Sequence, residues 1–365
     1  MIVPFPFVVK RSQTLRSQNL RGINYSAILF MVAAQIFAVS VPSVGFTQQP
    51  DSDFGAKASA ATDRIADSLG SRATYDLRYR LEEGQALSWK VEHVTTTKTQ
   101  ISGTTEEASA RVETLSTWNV TDVNKSNGQM VFTNSIEAVK AWKKVGEEEP
   151  STYDSRSAVK APDEYASLAE TLGEQRSRIT IEANGEVLDR QSEFVSTDFS
   201  TGDVTIPLPK EPVAIRHRWN VPLSFQSSNE HGAKVNLKAR RCYEFRKVKK
   251  GKAYISFRTE VLTPIKSHTV RSKILQKMIK GTIVWDIAKG LPVQKHVHWD
   301  EKVQAYNGAD SFLKYVGRMT VKLVDSQELA EVEAVKREQT FIPLEPLKIA
   351  TVKLRLRNER PELRR

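Results

Sequence analysis

From residue 75 to residue 325 the chain alternates apolar and polar residues with a period of two, the pattern of half-buried β-strands. The clearest example is KMIKGTIVWDIAKGLPVQKHVHW, residues 277–299. Its alternation runs to Ile287, stops at Lys289 and Gly290, and resumes at Val293. A short glycine turn between two alternating segments predicts an antiparallel hairpin. We therefore expect hairpins to build most of the fold.

Three more turns of this type lie between alternating segments. They are Asn127-Gly128 (segments 109–123 and 129–141), Asn184-Gly185 (within 177–191) and Lys250-Gly251 (within 234–262). Near the start, a strand through Leu77, Tyr79 and Leu81 and a strand through Trp89 flank a turn at Gly84, and a further strand is expected over 312–324.

The second half repeats the order of the first. The strand at Trp219 corresponds to the strand at Trp89, the turn at Gly251 to that at Gly128, and the turn at Gly290 to that at Gly185. This order predicts a degenerate duplication, and the alternative is coincidence, since any all-β chain has hairpins at similar spacing.

Two segments have helical rather than strand spacing. Residues 146–175 begin with acidic residues, and Tyr165, Leu168 and Leu172 predict one short amphipathic helix from Pro162 to Leu172 that covers an open sheet face. A second helix is expected from Ser326 to Glu338, followed by a strand at 352–356.

These patterns predict a mainly β protein of antiparallel meanders, folded as a sandwich or an open half-barrel, with two similar halves and one or two short covering helices. The expected division is a signal peptide (1–45), a linker (46–74), a first meander (75–200) with an acidic helical insertion (146–175), a second meander (201–325), and a last part (326–365) with a helix, a final strand and a basic tail.

The N-terminal segment has the layout of an export signal. Four basic residues precede an apolar run from Ala27 to Val41, and the first acidic residue is Asp51. The run is about fifteen residues long and a spanning helix needs about twenty, so we expect cleavage, after Ser40 or Gly45, with a retained anchor as the alternative. The expected location is periplasmic or extracellular, with membrane contact only through an uncleaved signal.

Charge is divided unevenly along the chain. Residues 46–200 hold 17 basic and 26 acidic residues, and residues 201–365 hold 33 basic and 17 acidic residues. The basic half could bind an anionic polymer or lipid head groups, or its cations could simply be the solvated face of a sheet. The candidate anion-binding residues are Arg240, Arg241, Lys247, Lys249, Lys250, Arg271, Lys273, Lys277 and Lys280.

Evidence for other chemistry is sparse. His296, His298 and Asp300 share one face of a predicted strand and are weak metal-ligand candidates, although three ligands on one straight strand span more than a tetrahedral site requires. The sequence contains no serine elbow, zinc-binding helix, phosphate loop or dinucleotide fingerprint. We therefore expect neither an enzyme nor a cofactor.

Two motifs stand out: the opening LRYRLEEGQALSWKVE, and the later pair GTIVWD (281–286) with GLPV (290–293). Both resemble motifs of a loosely defined group of uncharacterised exported bacterial β-rich proteins. Long meanders with a covering helix also resemble the half-barrels of lipoprotein-carrier proteins, and this resemblance implies a concave apolar face that holds acyl chains.

The sequence thus predicts a non-catalytic exported binding or structural module of the cell envelope, with an apolar or acyl ligand on a curved sheet. The alternative is a protein that binds an anionic envelope polysaccharide or lipid head groups through its basic second half. Nucleic acid is not an expected partner.

Overall fold

The computed structural model describes residues 73–157, 159–192 and 205–325, and these residues form a long antiparallel meander. The strands are β1 (Thr74–Tyr75), β2 (Ala86–Ile101), β3 (Thr104–Val123), β4 (Met130–Val145), β5 (Ser151–Asp154), β6 (Gln175–Ile181), β7 (Val187–Ser192), β8 (Val213–Ala214), β9 (Arg218–Ser228), β10 (Lys234–Lys249), β11 (Lys252–Val261), β12 (Lys280–Asp286), β13 (Leu291–Gln304) and β14 (Phe312–Val324). The helices are α1 (Ala166–Ala169), preceded by a 3-10 turn, and α2 (His268–Lys273), followed by a 3-10 turn.

One large sheet contains all of the long strands. Its order is β7-β6-β4-β3-β2-β14-β13-β12-β11-β10-β9, with β5 paired to β4, while β1 and β8 form a separate two-stranded sheet. The two meanders join because β14 pairs along its whole length with β2. The expected antiparallel meanders are confirmed, and they form one continuous sheet rather than two stacked layers.

The predicted hairpins are confirmed as β3–β4, β6–β7, β10–β11 and β12–β13. The predicted strand over 312–324 coincides with β14. Both halves run strand, strand, strand, helical excursion, hairpin, in the same direction across the sheet. The duplication itself stays a prediction.

The strand predicted through Leu77 and Leu81 is wrong. Residues 76–85 form no strand; they cross one end of the large sheet and include a turn at Glu83 and Gly84. Leu77, Tyr79 and Leu81 alternate because they point into the core, where all three are buried. Residues 205–212, which precede β8, cross the same end, and Ile206 and Leu208 join this core. We call residues 76–85 and 205–212 the strap.

The strap shows how strongly the sheet curves. Consecutive backbone amides of Tyr79 and Arg80 donate to the carbonyls of Ala183 (2.7 Å) and Gly290 (3.1 Å). Ala183 lies in the β6–β7 turn and Gly290 in the β12–β13 turn, and the strands β6 and β12 are six steps apart in the sheet. In a flat sheet six steps span roughly 29 Å. The sheet must therefore curl into a half-barrel at this end, which we call the strap end.

Each half covers its own part of the concave, inner face. On β4, Ile136, Val139 and Ala141 pack against the segment that holds Tyr165 and α1. On β10, Leu237 packs against Val270 of α2 and against Ile274, the first residue after that helix. The predicted covering helix is thus present in shorter form, and α2 was not predicted.

Several predictions lie outside the described residues: the signal peptide, most of the linker, the helix from 326 to 338, the strand at 352–356 and the basic tail. Within the described ranges, no helix combines the length and apolar character needed to cross a membrane.

Candidate functional site

The strap end of the half-barrel is filled by aromatic side chains. The Trp118 ring stacks on Phe132 with centroids 4.3 Å apart, and Trp89 packs on Trp118 at 4.4 Å. On β12, in the second half of the chain, Trp285 is fully buried, and its ring meets the Tyr79 ring edge-on with centroids 4.7 Å apart. These contacts leave the strap end closed.

The opposite end, which we call the far end, is partly covered. The indole nitrogen of Trp299, on β13, donates to the carbonyl of Gln276, in the turn after α2, at 3.0 Å. Tyr306, in the β13–β14 loop, also packs against the main core. The helical segments around α1 and α2 therefore cover part of the inner face, one in each half of the sheet.

Between these two ends the inner face keeps accessible surface. The register places a group of half-exposed side chains on the inner face of three central strands. They are Val112 and Thr114 on β3, Met319 and Val321 on β14, and Val293 and Lys295 on β13. Four of them, Val112, Met319, Val321 and Val293, pack against the core clusters, and all six keep part of their surface accessible, so we call them the inner strip.

Two cations lie at the side of the inner strip that belongs to the second half: Lys295, which is part of the strip, and Arg241 of β10. The guanidinium carbon of Arg241 lies 5.7 Å from the centroid of the Phe257 ring, and Nζ of Lys295 lies 5.6 Å from the same centroid. Arg241 is only 7% exposed. Lys295 lies directly opposite Val321 of the strip. Two cations on one aromatic ring are a cation–π arrangement, and they give an otherwise apolar surface one positive pole.

Gly281 makes this arrangement possible. It lies directly opposite both Phe257 and Val297, and a Cβ at this position would overlap the Phe257 ring and the carbonyl of His296. A glycine here lets the phenyl ring lie across the sheet toward Lys295.

His93 adds a neutral polar group to the inner face, between β3 and β14. It lies on β2 opposite Met319 and Val112, and its ring centroid is 5.2 Å from that of Trp299. Burial lowers the pKa of His93 to about 4, because the charged imidazolium would lose its hydration. At neutral pH the imidazole is uncharged, so Arg241 and Lys295 supply the positive charge of this region.

The weak metal candidates lie elsewhere. His296, His298 and Asp300 do share one face, but it is the outer, exposed face of β13. Burial, and then the charge of the neighbouring Lys280, lower the pKa of His298. In the part of the chain that the structure describes, no group of three or more His, Cys, Asp or Glu side chains could hold a metal ion.

The nine anion-binding candidates do not converge on one site. Arg240 faces outward in an ion pair with Glu260 (2.8 Å), whereas its neighbour Arg241 faces inward. Lys249 and Lys250 lie at the β10–β11 turn, at the strap end. Arg271 and Lys273 lie on α2 at the far end, roughly 40 Å away along β10.

The remaining candidates are also dispersed. Lys247 packs over the Tyr254 ring (4.9 Å), Lys277 lies in the turn after α2, and Lys280 begins β12 on the outer face. Of the nine, Arg241 is the one that the fold brings to the inner strip.

Sequence reasoning missed Lys295 as a site residue. The signal is present, because Lys295 stands between Val293 and Val297 at a core-facing position of an alternating strand. A lysine at such a position is unusual, because a buried ammonium requires compensation. Its proximity to Arg241, by contrast, depends on pairing across four strands.

Comparison with known proteins gives weak similarities. No protein-family model matches the sequence, and no curated protein matches it. A solved structure of lipovitellin, described for its lipid–protein interactions, is 10% identical with a TM-score of 0.39 over 67% of this chain, and the match spans 26% of the lipovitellin chain. An outer-membrane channel from Pseudomonas putida F1 is 9% identical (TM-score 0.23; 68% of this chain and 98% of that one).

A third solved structure is an outer-membrane lipoprotein-sorting protein domain from Vibrio parahaemolyticus. It is 8% identical with a TM-score of 0.14, and the match covers 68% of this chain and 92% of that one. All three TM-scores are below 0.5, so nothing about the activity of this chain is inferred from them.

Proposed function

We propose that this protein is a non-catalytic, exported binding module of the cell envelope that holds an acyl chain along the inner strip. The observation that carries the proposal is the inner strip itself: apolar side chains of three central strands keep accessible surface inside a half-barrel whose strap end is closed. Ligand sites of this kind are concave, mostly apolar and provided with a few placed polar groups.

The positive pole beside the strip indicates what the ligand carries at one end. Arg241 and Lys295 both contact Phe257 from the inner side of the sheet. An anionic head group placed near both cations would accept charge-assisted hydrogen bonds from them, and such bonds are stronger than those between neutral groups. The ligand class is therefore an amphiphile with one acyl chain and an anionic head, such as a fatty acid.

The experiment is native mass spectrometry of the protein as exported by its host, before and after incubation with palmitate. We expect a mass increment in gentle ionisation that disappears on denaturation. A titration with the fluorescent fatty acid cis-parinaric acid, with palmitate as competitor, gives an independent readout. A bare polypeptide mass in both samples, together with no saturable parinaric acid signal, would rule the proposal out.

Head-group charge gives a further control within the same assay. A cationic amphiphile of equal chain length, such as hexadecyltrimethylammonium, has the apolar part of palmitate but the opposite charge. We expect palmitate to displace parinaric acid at a much lower concentration than hexadecyltrimethylammonium does. The second sequence hypothesis, an anionic envelope polymer bound by the nine dispersed cations, stays a prediction.

A further inference from the structure

The outer face of the sheet carries a line of cations along its middle strand, β14. The outward positions of β14 are alternate residues from Phe312 to Val324, and they include Lys314, Arg318 and Lys322, all exposed. These three residues recur every fourth position and cover roughly 26 Å. No carboxylate occupies an outward position of this strand. We call these three residues the ridge strip.

Neighbouring strands extend the positive charge. Lys90 of β2 lies directly opposite Lys322, and Lys98 of β2 lies directly opposite Lys314. On the other side Lys302 of β13 is also opposite Lys314. Like charges in directly opposite positions destabilise a sheet. The lysine–lysine pairs themselves are unfavourable, and bound anions would relieve their repulsion.

Acidic groups compensate the flanking lysines in part. Lys90 pairs with Glu113 of β3 at 3.5 Å, and Lys98 lies directly opposite Glu107 of β3. Asp300 of β13 approaches Lys314 at 4.0 Å, the limit of an ion pair. Glu92 of β2 is directed to Arg111 of β3, at 3.1 Å. Over the outward positions of β2, β13 and β14, six lysines and arginines therefore face two carboxylates.

The position of β14 in the sheet selects the kind of partner. It is the sixth of the eleven strands in the sheet order, so it forms the ridge of the convex face. A convex body meets a flat surface along its ridge, and the ridge strip lies along that line of contact. A line of cations roughly 26 Å long with flanking lysines complements a planar array of negative charges better than it complements a single flexible polyanion.

We propose that the ridge strip docks the protein on the surface of a bilayer that contains anionic phospholipid. Each lysine or arginine held near an anionic leaflet strengthens binding about fivefold. The ridge strip faces away from the inner strip, because its residues alternate with Met319 and Val321 along β14. Docking and ligand binding can therefore be measured separately, and either one can fail without the other.

The test is sedimentation of the full-length protein with vesicles of phosphatidylcholine alone and of phosphatidylcholine mixed with phosphatidylglycerol, at low and high salt. The apolar N-terminal run could bind both vesicles, so the readout is the excess binding to the anionic ones. We expect this excess for the native protein and its loss at high salt.

Two triple variants with equal net charge separate the ridge from overall charge. Lys314→Gln, Arg318→Gln and Lys322→Gln remove the ridge strip, and Lys234→Gln, Lys238→Gln and Arg246→Gln remove three exposed basic residues of β10, the tenth strand in the sheet order. We expect the ridge variant to bind anionic vesicles on the order of a hundredfold more weakly and the β10 variant to bind them nearly as well as the native protein.

Three outcomes would overturn the proposal. They are equal binding of the native protein to both kinds of vesicle, equal losses in the two triple variants, and a loss in the ridge variant of binding to immobilised polyphosphate but not to anionic vesicles. Circular dichroism and the parinaric acid titration show whether each variant is folded.

Discussion

The hydroxyl of Tyr79 accepts a hydrogen bond from the backbone amide of Ile206 at 2.8 Å, across 127 residues of sequence. Both residues are buried in the strap. Tyr79 precedes β2, the first long strand of the first half, and Ile206 precedes β9, the first long strand of the second half. The Trp219 indole donates to the carbonyl of Pro207 at 2.8 Å, so the strap is also tied to β9, at the edge of the sheet. This contact between the halves keeps the strap end of the half-barrel closed.

Removing the Tyr79 hydroxyl should destabilise the protein without leaving a large cavity. In Tyr79→Phe the buried amide of Ile206 loses its acceptor, and we expect a loss of about 1–3 kcal/mol in the free energy of unfolding. The matched control is Tyr315→Phe, because the Tyr315 side chain is buried to a similar degree and has no hydrogen bond to another described residue. Urea unfolding of both variants is the measurement. Equal losses would show that the Tyr79–Ile206 bond does not stabilise the strap.

Gly185 should tolerate alanine much less well than another turn glycine. Gly185 has φ +82°, and a Cβ there would overlap the Tyr79 ring and the carbonyl of Ile206. Gly232 has φ +79° with nothing within 4 Å, so it is the matched control. Gly232→Ala should lose about 1–2 kcal/mol through left-handed strain alone. Gly185→Ala should lose clearly more, measured by thermal unfolding, and similar losses would mean that the strap yields easily.

Stability should fall as the pH is lowered through the range set by His93. Burial holds the folded-state pKa of His93 at about 4, below its ordinary value of 6.5. Between these values the unfolded chain binds a proton that the folded chain excludes, so stability is lost as the pH falls from about 6.5 to about 4. The loss should approach about 3 kcal/mol below this range.

The pH experiment compares the native protein with His93→Gln by urea unfolding at several pH values. Glu301 opposes the effect, since burial raises its pKa and a raised carboxyl pKa favours the folded state as the pH falls. The informative quantity is therefore the difference between the two proteins. If the free energy of unfolding of His93→Gln depends on pH as it does in the native protein, His93 is not the group responsible. The control is His231→Gln, because His231 is exposed.

Lys295 should set affinity for the anionic head group. Lys295→Met keeps most of the side-chain length but removes the charge beside Phe257, and we expect palmitate binding to weaken about tenfold to a hundredfold. The control is Lys238→Met, on the exposed outer face of β10. Parinaric acid displacement measures both variants. If the affinity for palmitate is unchanged while hexadecanol binds equally well to native protein and variant, Lys295 does not contact the head group.

The sequence determined the features that depend on near neighbours in the chain. Alternation along a strand and a glycine at the turn fix a hairpin locally, which is why the turns at Gly185 and Gly290 and the bounds of β14 could be predicted. The covering helix around Tyr165 was predicted for the same reason, since spacing within a few residues defines an amphipathic face.

Only the tertiary structure decided which segments meet. An alternating pattern shows that every second side chain is buried, but not what buries it. The alternation of residues 77–81 therefore predicts a strand, although these residues form part of the strap. The pairing of β14 with β2, the meeting of Arg241 and Lys295 at Phe257, and the ridge on the outer face all join residues far apart in sequence. Such contacts depend on the curvature of the whole sheet, which no local pattern encodes.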